Sequence, residues 1–470
     1  MERLSTLDAG FFFVEHENVP MHIGSVAVFE GPAPAYEDLV ELVAAKLPLV
    51  PRYRQVVRTA PLNVFRPVWA DDEHFEIGYH VRHAAVPAPG GTGQLRKLAA
   101  QIFAQRLDRA RPLWEAWLLE GLKGGRWAII SKVHHCMVDG IGGNDLMTAI
   151  FDLGPEVQRP VPVTWEPEPE PSVVDLLADG MIDAVSWSFR RLSGVTGSWF
   201  QQLPAVDELL GFGRGLTGSA RRLAAPSASS LNGPIGPHRR WAWTTASLAE
   251  VKEIRSALGG TVNDVLLAAI TRGFRDLLEA RGELADGLVV RSLVPVSVRS
   301  ADEQGVIANR VSAVLANLPV GEPDPLRRLA LLREQMDDLK HTHQAIGAEI
   351  LTGVLGFAAP TLLALGSRAA FMIPQPLVQT VTTNVPGPRF PLFVQGRRMI
   401  KMYPYVPIGD NLRIGVAIIS YLDRFSFGIT ADYDAVPDLR VLVKGIGLGL
   451  AELGGQAAAT RGAATPGAVG

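Results

Sequence analysis

Residues 134–140 read His-His-Cys-Met-Val-Asp-Gly and follow the apolar run Trp-Ala-Ile-Ile-Ser-Lys-Val at 127–133. Such a β-branched run predicts a strand, so His134 and His135 fall where strand gives way to turn. An imidazole in that position can aim one ring nitrogen into a cleft. With an ordinary pKa of about 6.5 it is mostly neutral at pH 7 and can accept a proton. Asp139, four residues after His135, is placed to restrain the turn by a charged hydrogen bond to a histidine ring or to a distant arginine. Gly140 lets the chain bend sharply after it.

Three other chemistries compete for these residues. A divalent metal could use His134, His135 and Asp139, but consecutive histidines project differently and the chain offers no second His/Glu set. Cys136 could be a nucleophile beside His135, yet a lone cysteine after a strand is more often a small buried hydrophobe. Both histidines could merely satisfy core hydrogen bonds; their pairing with a following Asp-Gly weakens that reading. The chain has no Gly-x-Ser-x-Gly elbow, no phosphate-binding Gly-x-x-x-x-Gly-Lys-Ser/Thr loop and no dinucleotide fingerprint. A base without a protein nucleophile points to direct transfer. A histidine takes the proton of an acceptor hydroxyl, which attacks a thioester, and the site needs a base, an oxyanion stabiliser and good positioning.

At 470 residues the chain exceeds one small core, and two domains are expected. Its 47% hydrophobic and 20% charged residues are those of a folded globular protein able to enclose a large apolar pocket. A net charge of −3 with both signs interspersed gives no field for capturing nucleic acid. The single cysteine excludes an intrachain disulfide and fits a reducing compartment. No apolar secretory segment precedes Glu15, so a cytoplasmic location is expected. The weakly polar run at 350–371, interrupted by Arg368, falls short of the ~20 residues a membrane span needs. It reads as a buried or interfacial helix pair and leaves peripheral attachment open.

The elements that must hold the histidines alternate in type. Strands are predicted at 24–29 and 127–133, with helices at 36–47 and 92–107 between them. The Pro- and Glu-rich stretch 155–171 reads as a linker. Amphipathic helices are predicted over 173–222, then an Ala/Ser/Pro/Gly-rich crossover at 224–237. A second unit has a strand at 241–246, helices at 248–257, 262–278 and 325–341, and strands at 289–298, 311–320, 378–383, 399–406, 412–421 and 425–431. A last helix is predicted at 437–453, followed by a disordered tail. These readings divide the chain into an α/β unit at 1–154, a linker with amphipathic helices at 155–238, a second α/β unit at 239–455 and a tail at 456–470.

Several blocks in this order resemble the bacterial wax ester synthase/acyl-CoA:diacylglycerol acyltransferases, from about Leu4 to Leu453. The heptapeptide 134–140 matches the family's His-His-x-x-x-Asp-Gly signature, which condensation domains and other CoA-dependent acyltransferases share. More specific are Leu4-Ser5-Thr6-Leu7-Asp8-Ala9-Gly10-Phe11 with Pro20-Met21-His22-Ile23-Gly24, then Arg111-Pro112-Leu113-Trp114-Glu115, Thr261-Val262-Asn263-Asp264-Val265 and Asn384-Val385-Pro386-Gly387-Pro388. The resemblance implies an α/β (α+β) two-domain sandwich like chloramphenicol acetyltransferase and the condensation domains, with the active site in a tunnel between the domains.

It also implies site roles. His135 is the base, His134 is supportive, and Asp139 holds the loop; Arg291 or Arg299 is a candidate partner for Asp139. Asn263, at the start of a second-unit helix, stabilises developing negative charge or only caps that helix; Asp264 is weighted toward structure. Pro112, Leu113 and Trp114 shape the substrate pocket or the wall beneath it, or Trp114 is plain core. The turn at 384–388 is architectural. The implied reaction moves a long-chain acyl group from acyl-CoA to diacylglycerol or a long-chain alcohol, with no bound cofactor, no metal and no covalent intermediate. The alternatives are a related acyltransferase using a carrier-protein thioester or polyketide alcohol, and a non-catalytic lipid-droplet protein. Peripheral contact with a membrane or lipid inclusion is expected; nothing in the sequence sets an oligomeric state.

Overall fold

The computed structural model describes residues 1–138, 150–157, 165–193, 230–297, 311–341 and 378–464. In chain order, strand β1 (Glu2–Arg3) and helix α1 (Thr6–Val14) precede β2 (His22–Phe29), α2 (Tyr36–Lys46), β3 (Gln55–Arg58), β4 (Val68–Asp71), β5 (Val81–Ala85), α3 (Thr92–Ala104), β6 (Trp114–Leu122) and β7 (Arg126–His134). Helix α4 (Val173–Ser193) leads to β8 (Arg239–Ser247), α5 (Leu248–Leu258), α6 (Val262–Ala280), β9 (Val290–Ser297), β10 (Val311–Leu318) and α7 (Pro325–His341). Next come β11 (Thr380–Val385), β12 (Phe393–Val394), β13 (Arg397–Tyr405), β14 (Ile414–Tyr421), β15 (Arg424–Asp432) and α8 (Leu439–Ala464).

Two six-stranded sheets form the frame, ordered β12-β13-β2-β7-β6-β5 and β10-β9-β11-β14-β15-β8, with a small β1-β4-β3 sheet beside the first. Strand β7 shows why the histidine turn is rigidly placed. Its Trp127, Ile129 and Val133 pack with Phe12 and Phe13 of α1, while Ala128 and Ile130 pack on the opposite face with Phe103 of α3 and Trp241 and Trp243 of β8. A strand covered on both faces carries a continuous apolar run, and that run is the signal read from the sequence. In the second unit, Val265, Leu266, Ala269, Ile270, Phe274 and Leu277 recur three and four apart along α6 and are buried with Val416, Ile418, Phe427 and Ile429 of the adjacent sheet.

Two parts of the sequence-based division are corrected. Residues 393–405, assigned to the second unit, supply strands to the first sheet: β13 runs antiparallel to β2, with Tyr403 opposite Val26 and Tyr405 opposite Gly24. Strand periodicity identifies a strand but not the sheet it joins. The crossing brings the sheets into contact, since a Cβ on Gly428 of β15 would sit 1.7 Å from the Pro404 carbonyl oxygen. The proposed tail at 456–470 is helical as far as Ala464. Ala457 is buried in the second core, and Arg461 pairs with Glu253 of α5 at 3.3 Å. A chain end docked by such contacts stays ordered. The linker residues 165–172 are irregular as expected but docked: the Arg54 guanidinium lies 4.4 Å over the Trp165 ring, and Arg58 pairs with Glu170.

Candidate active site at the histidine turn

Strand β7 ends at His134, and His135–Met137 form one 3-10 turn directly after it. The His135 N–H donates to the Met21 carbonyl at 2.8 Å, and the His134 N–H donates to the Leu113 carbonyl at 2.9 Å. The chain is therefore gripped from both neighbouring strands where it leaves the sheet. Phe11 of α1 stacks on the His135 ring with centroids 3.9 Å apart and planes 28° apart.

His135 is half-buried, and its Nδ1 is enclosed with no hydrogen-bond partner among the described residues. Burial lowers its pKa to about 4; its own backbone opposes the shift and the neighbouring His134 adds to it. The ring is thus neutral at pH 7, more completely than the ordinary histidine value suggests.

His134 points elsewhere and is fully buried. Its Nδ1 accepts from the Cys136 N–H at 3.1 Å, which puts the ring proton on Nε2. That Nε2 faces Glu15 Oε2 at 3.4 Å, an ion-pair distance whose angles fall short of a formed hydrogen bond. Glu15 is 2% exposed and also accepts from the Met21 N–H at 3.0 Å. Burial alone would raise its pKa, but contact with His134, the Met21 N–H and the charge of Arg109 outweigh burial and hold it below the usual carboxylate value. Glu15 thus ties together the His134 ring and the segment that grips His135. Sequence reading missed it, because an acid just past a short Phe-rich helix carries no local sign of a partner on a distant strand.

The other predicted residues fall into three groups. Leu113 and Trp114 are 0% and 1% exposed. The Trp114 indole donates to the Tyr53 carbonyl at 2.7 Å and stacks on His80 at 4.6 Å, contacts that fix it in the first core. Pro112 is likewise buried. Cys136 is buried, and burial raises its thiol pKa well above the ordinary value, the opposite of what an activated nucleophile needs.

The second group lies on the other sheet. Thr261, not Asn263, is the N-cap of α6: its Oγ1 accepts from the Asp264 N–H at 3.3 Å, and Asp264 Oδ2 accepts from the Thr261 N–H at 2.7 Å. Capping is thereby corrected as the role of Asn263, and Asp264 is structural. Asn263 Oδ1 instead accepts from the Asn384 amide of β11 at 3.4 Å, which joins two of the sequence blocks. Arg291, on β9, is buried with its backbone N–H on Gln379. No hydrogen bond or ring contact among the described residues joins Asn263 to His135.

The third group, Asp139, Gly140, Arg299 and the apolar run 350–371, lies outside the described residues. Two cavities stand out among the described residues, and neither is lined by His135; the expected tunnel is not delineated by them. No helix among these residues is long and apolar enough to cross a membrane.

Comparison with known proteins decides the family. Residues 4–266 match the profile of the wax ester synthase/diacylglycerol acyltransferase catalytic domain, and residues 307–454 match the C-terminal domain of the same family. The chain belongs to the wax ester synthase/diacylglycerol acyltransferase family. A Mycobacterium tuberculosis relative named "probable diacyglycerol O-acyltransferase" is 39% identical over 455 residues, 95% of this chain and 94% of that one. The solved structure of the wax ester synthase/diacylglycerol acyltransferase from Marinobacter aquaeolei VT8 is 26% identical, with a TM-score of 0.68 over 97% of this chain and all of that one. The first condensation domain of the calcium-dependent antibiotic synthetase shares the fold alone, at 14% identity and a TM-score of 0.58 over 97% of this chain and 96% of that one. The chain is accordingly an acyltransferase of the mixed α/β fold expected from its motifs. Within the family's catalytic region, the residues brought together are His134, His135, Glu15, Met21 and Phe11.

Proposed function

We propose that the protein transfers a fatty acyl group from acyl-CoA to the hydroxyl of a diacylglycerol, with a long-chain alcohol as a second acceptor class, and that His135 is the general base. The observation that carries this reading is a partly accessible imidazole, uncharged at neutral pH, fixed by a backbone bond to Met21 and by Phe11 at the end of a rigid strand. In the reaction, the acceptor O–H proton passes to His135 while the oxygen attacks the thioester carbonyl carbon. The resulting oxyanion collapses with cleavage of the C–S bond, and the leaving thiolate takes the proton back as free CoA thiol. Both substrates meet at one base, so no acyl-enzyme is needed. Asn263, held by Asn384 at the start of α6, is a candidate donor to the oxyanion. The names of the relatives favour diacylglycerol as acceptor, and peripheral contact with a lipid surface follows from substrates of that class.

Purified protein incubated with palmitoyl-CoA and either dioleoylglycerol or hexadecanol should release free thiol, and His135→Ala should lower kcat about 100- to 10,000-fold. Glu15→Gln keeps an acceptor for the Met21 N–H but loses the charge beside His134, and a roughly tenfold fall in kcat at unchanged KM is expected. Full turnover by His135→Ala removes the imidazole from its role.

A further inference from the structure

Where β13 of the first sheet meets the β14–β15 hairpin and β8 of the second, the seam opens into a cavity of about 320 Å³. That is large enough for a small ligand. Three cations reach it from three different elements: Arg96 of α3, Lys401 of β13 and Arg424 of β15. One carboxylate, Asp423, also lines it, together with Thr92 and with Thr245 and Ser426, which pair across β8 and β15. Among the described residues none of the three cations makes an ion pair.

Arg96 is preorganised. Its guanidinium lies 4.3 Å over the Trp243 ring and donates through Nη2 to the Trp243 carbonyl at 2.9 Å, while its Nε is enclosed with no acceptor. Buried donors normally have partners, and cations gathered without matching carboxylates repel unless an anion joins them.

The cavity is remote from the histidine turn. Lys401 pairs with Val28, and Val28 pairs with Ala128 of β7. His134 lies six residues further along that strand, a separation of about 20 Å at ~3.3 Å per residue. The intervening face is packed: Phe103 stacks on Tyr405 at 4.1 Å, Tyr405 on His22 at 5.4 Å, and Phe103 meets Trp241 at 5.5 Å.

We propose that this cavity is a binding site, separate from the histidine turn, for a phosphate group carried by a lipid headgroup or by a small free phosphate. Three cations from three elements, with the hydroxyl-bearing Thr245 and Ser426 beside them, suit the three terminal oxygens of a phosphate better than the two of a carboxylate. The assignment does not depend on the chemistry at His135.

The test uses the full chain, with isothermal titration of inorganic phosphate and co-sedimentation with phosphatidylcholine vesicles made with and without phosphatidic acid. Lys401 and Arg424 are exposed, so Lys401→Gln/Arg424→Gln removes charge without touching a core. Arg106→Gln/Arg327→Gln, also exposed, lowers net charge equally at residues that do not line the cavity. The wild type should bind, the cavity variant should weaken binding at least about tenfold, and the control should not. Loss confined to free phosphate assigns a small ligand; loss of phosphatidic-acid-dependent sedimentation as well assigns a headgroup. Equal weakening by the control, an unaffected cavity variant, or a wild type that binds neither probe overturns the proposal.

Discussion

The two sheets bury different kinds of polar group. Beside the first sheet lie His22, His80, His134, the Glu115–Lys132 pair and Glu15, all at most 6% exposed. Around the second, the buried polar groups among the described residues are hydroxyls and amides, such as Ser292, Thr380 and Thr430, or arginines and aspartates such as Arg328 and Asp264. Imidazoles change charge near neutral pH, whereas arginine and aspartate do so far from it. Among the described residues, the buried imidazoles thus lie with the half that carries the proposed base, and the buried charges of the other half are ones that hold their charge across neutral pH. Lys132 and His134 lie two apart on one face of β7, so the strand that places the base also carries half of the buried Glu115–Lys132 pair.

Breaking the buried pair should have the largest effect on stability. Lys132 Nζ lies 3.2 Å from Glu115 Oε2 and 2.8 Å from the Gln105 carbonyl, and burial lowers its pKa despite Glu115. Lys132→Met leaves Glu115 with only the Trp117 indole at 2.9 Å and Arg82 at 3.5 Å, and should cost about 3–5 kcal/mol in denaturant unfolding. Lys132→Met/Glu115→Leu should recover much of that loss; a double variant no better than the single would deny the pair its role.

Acid sensitivity is of comparable size. Burial lowers the pKa of His80 and His135 to about 4 and that of His22 well below 6.5. Below pH 6.5 the unfolded chain takes up protons at these positions that the folded chain refuses, so their contribution is complete above 6.5 and is lost as pH falls toward 4. Each contributes a slope of up to about 1.4 kcal/mol per pH unit in that window. Urea midpoints that stay level from pH 7 to pH 5 would contradict the comparison.

The smallest effect belongs to the scaffold. Thr261→Ala removes the cap of α6 and should cost about 1 kcal/mol, by the same amount at pH 7 and pH 5.5. A cost that varied over this range would mean that the second half is also proton-coupled.

These contrasts also mark how far the sequence could be read. The strand β7 and the turn after it were legible because a doubly covered strand is continuously apolar and a following His-His stands out. The capping box at 261–264 was half legible: Thr and Asp three apart signal a helix start, but the neighbouring Asn drew the assignment. Strand β6 was hidden inside a motif noted for its tryptophan, and nothing local in the sequence joins its Glu115 to Lys132 of β7. Glu15, 119 positions from its imidazole partner, had no local signature, because its meaning arises only when α1 folds against β7. The sheet membership of β13 was equally silent.

That strand has a consequence for the order in which the protein is made. While a nascent chain is still threading through the ribosome, β2 has β7 on one side and a bare edge on the other until residues 397–405 emerge, when most of the polypeptide has already been synthesised. An open edge is a template for mispairing, so the amino-terminal half waits, unfinished, for nearly the whole of translation before its own sheet can close.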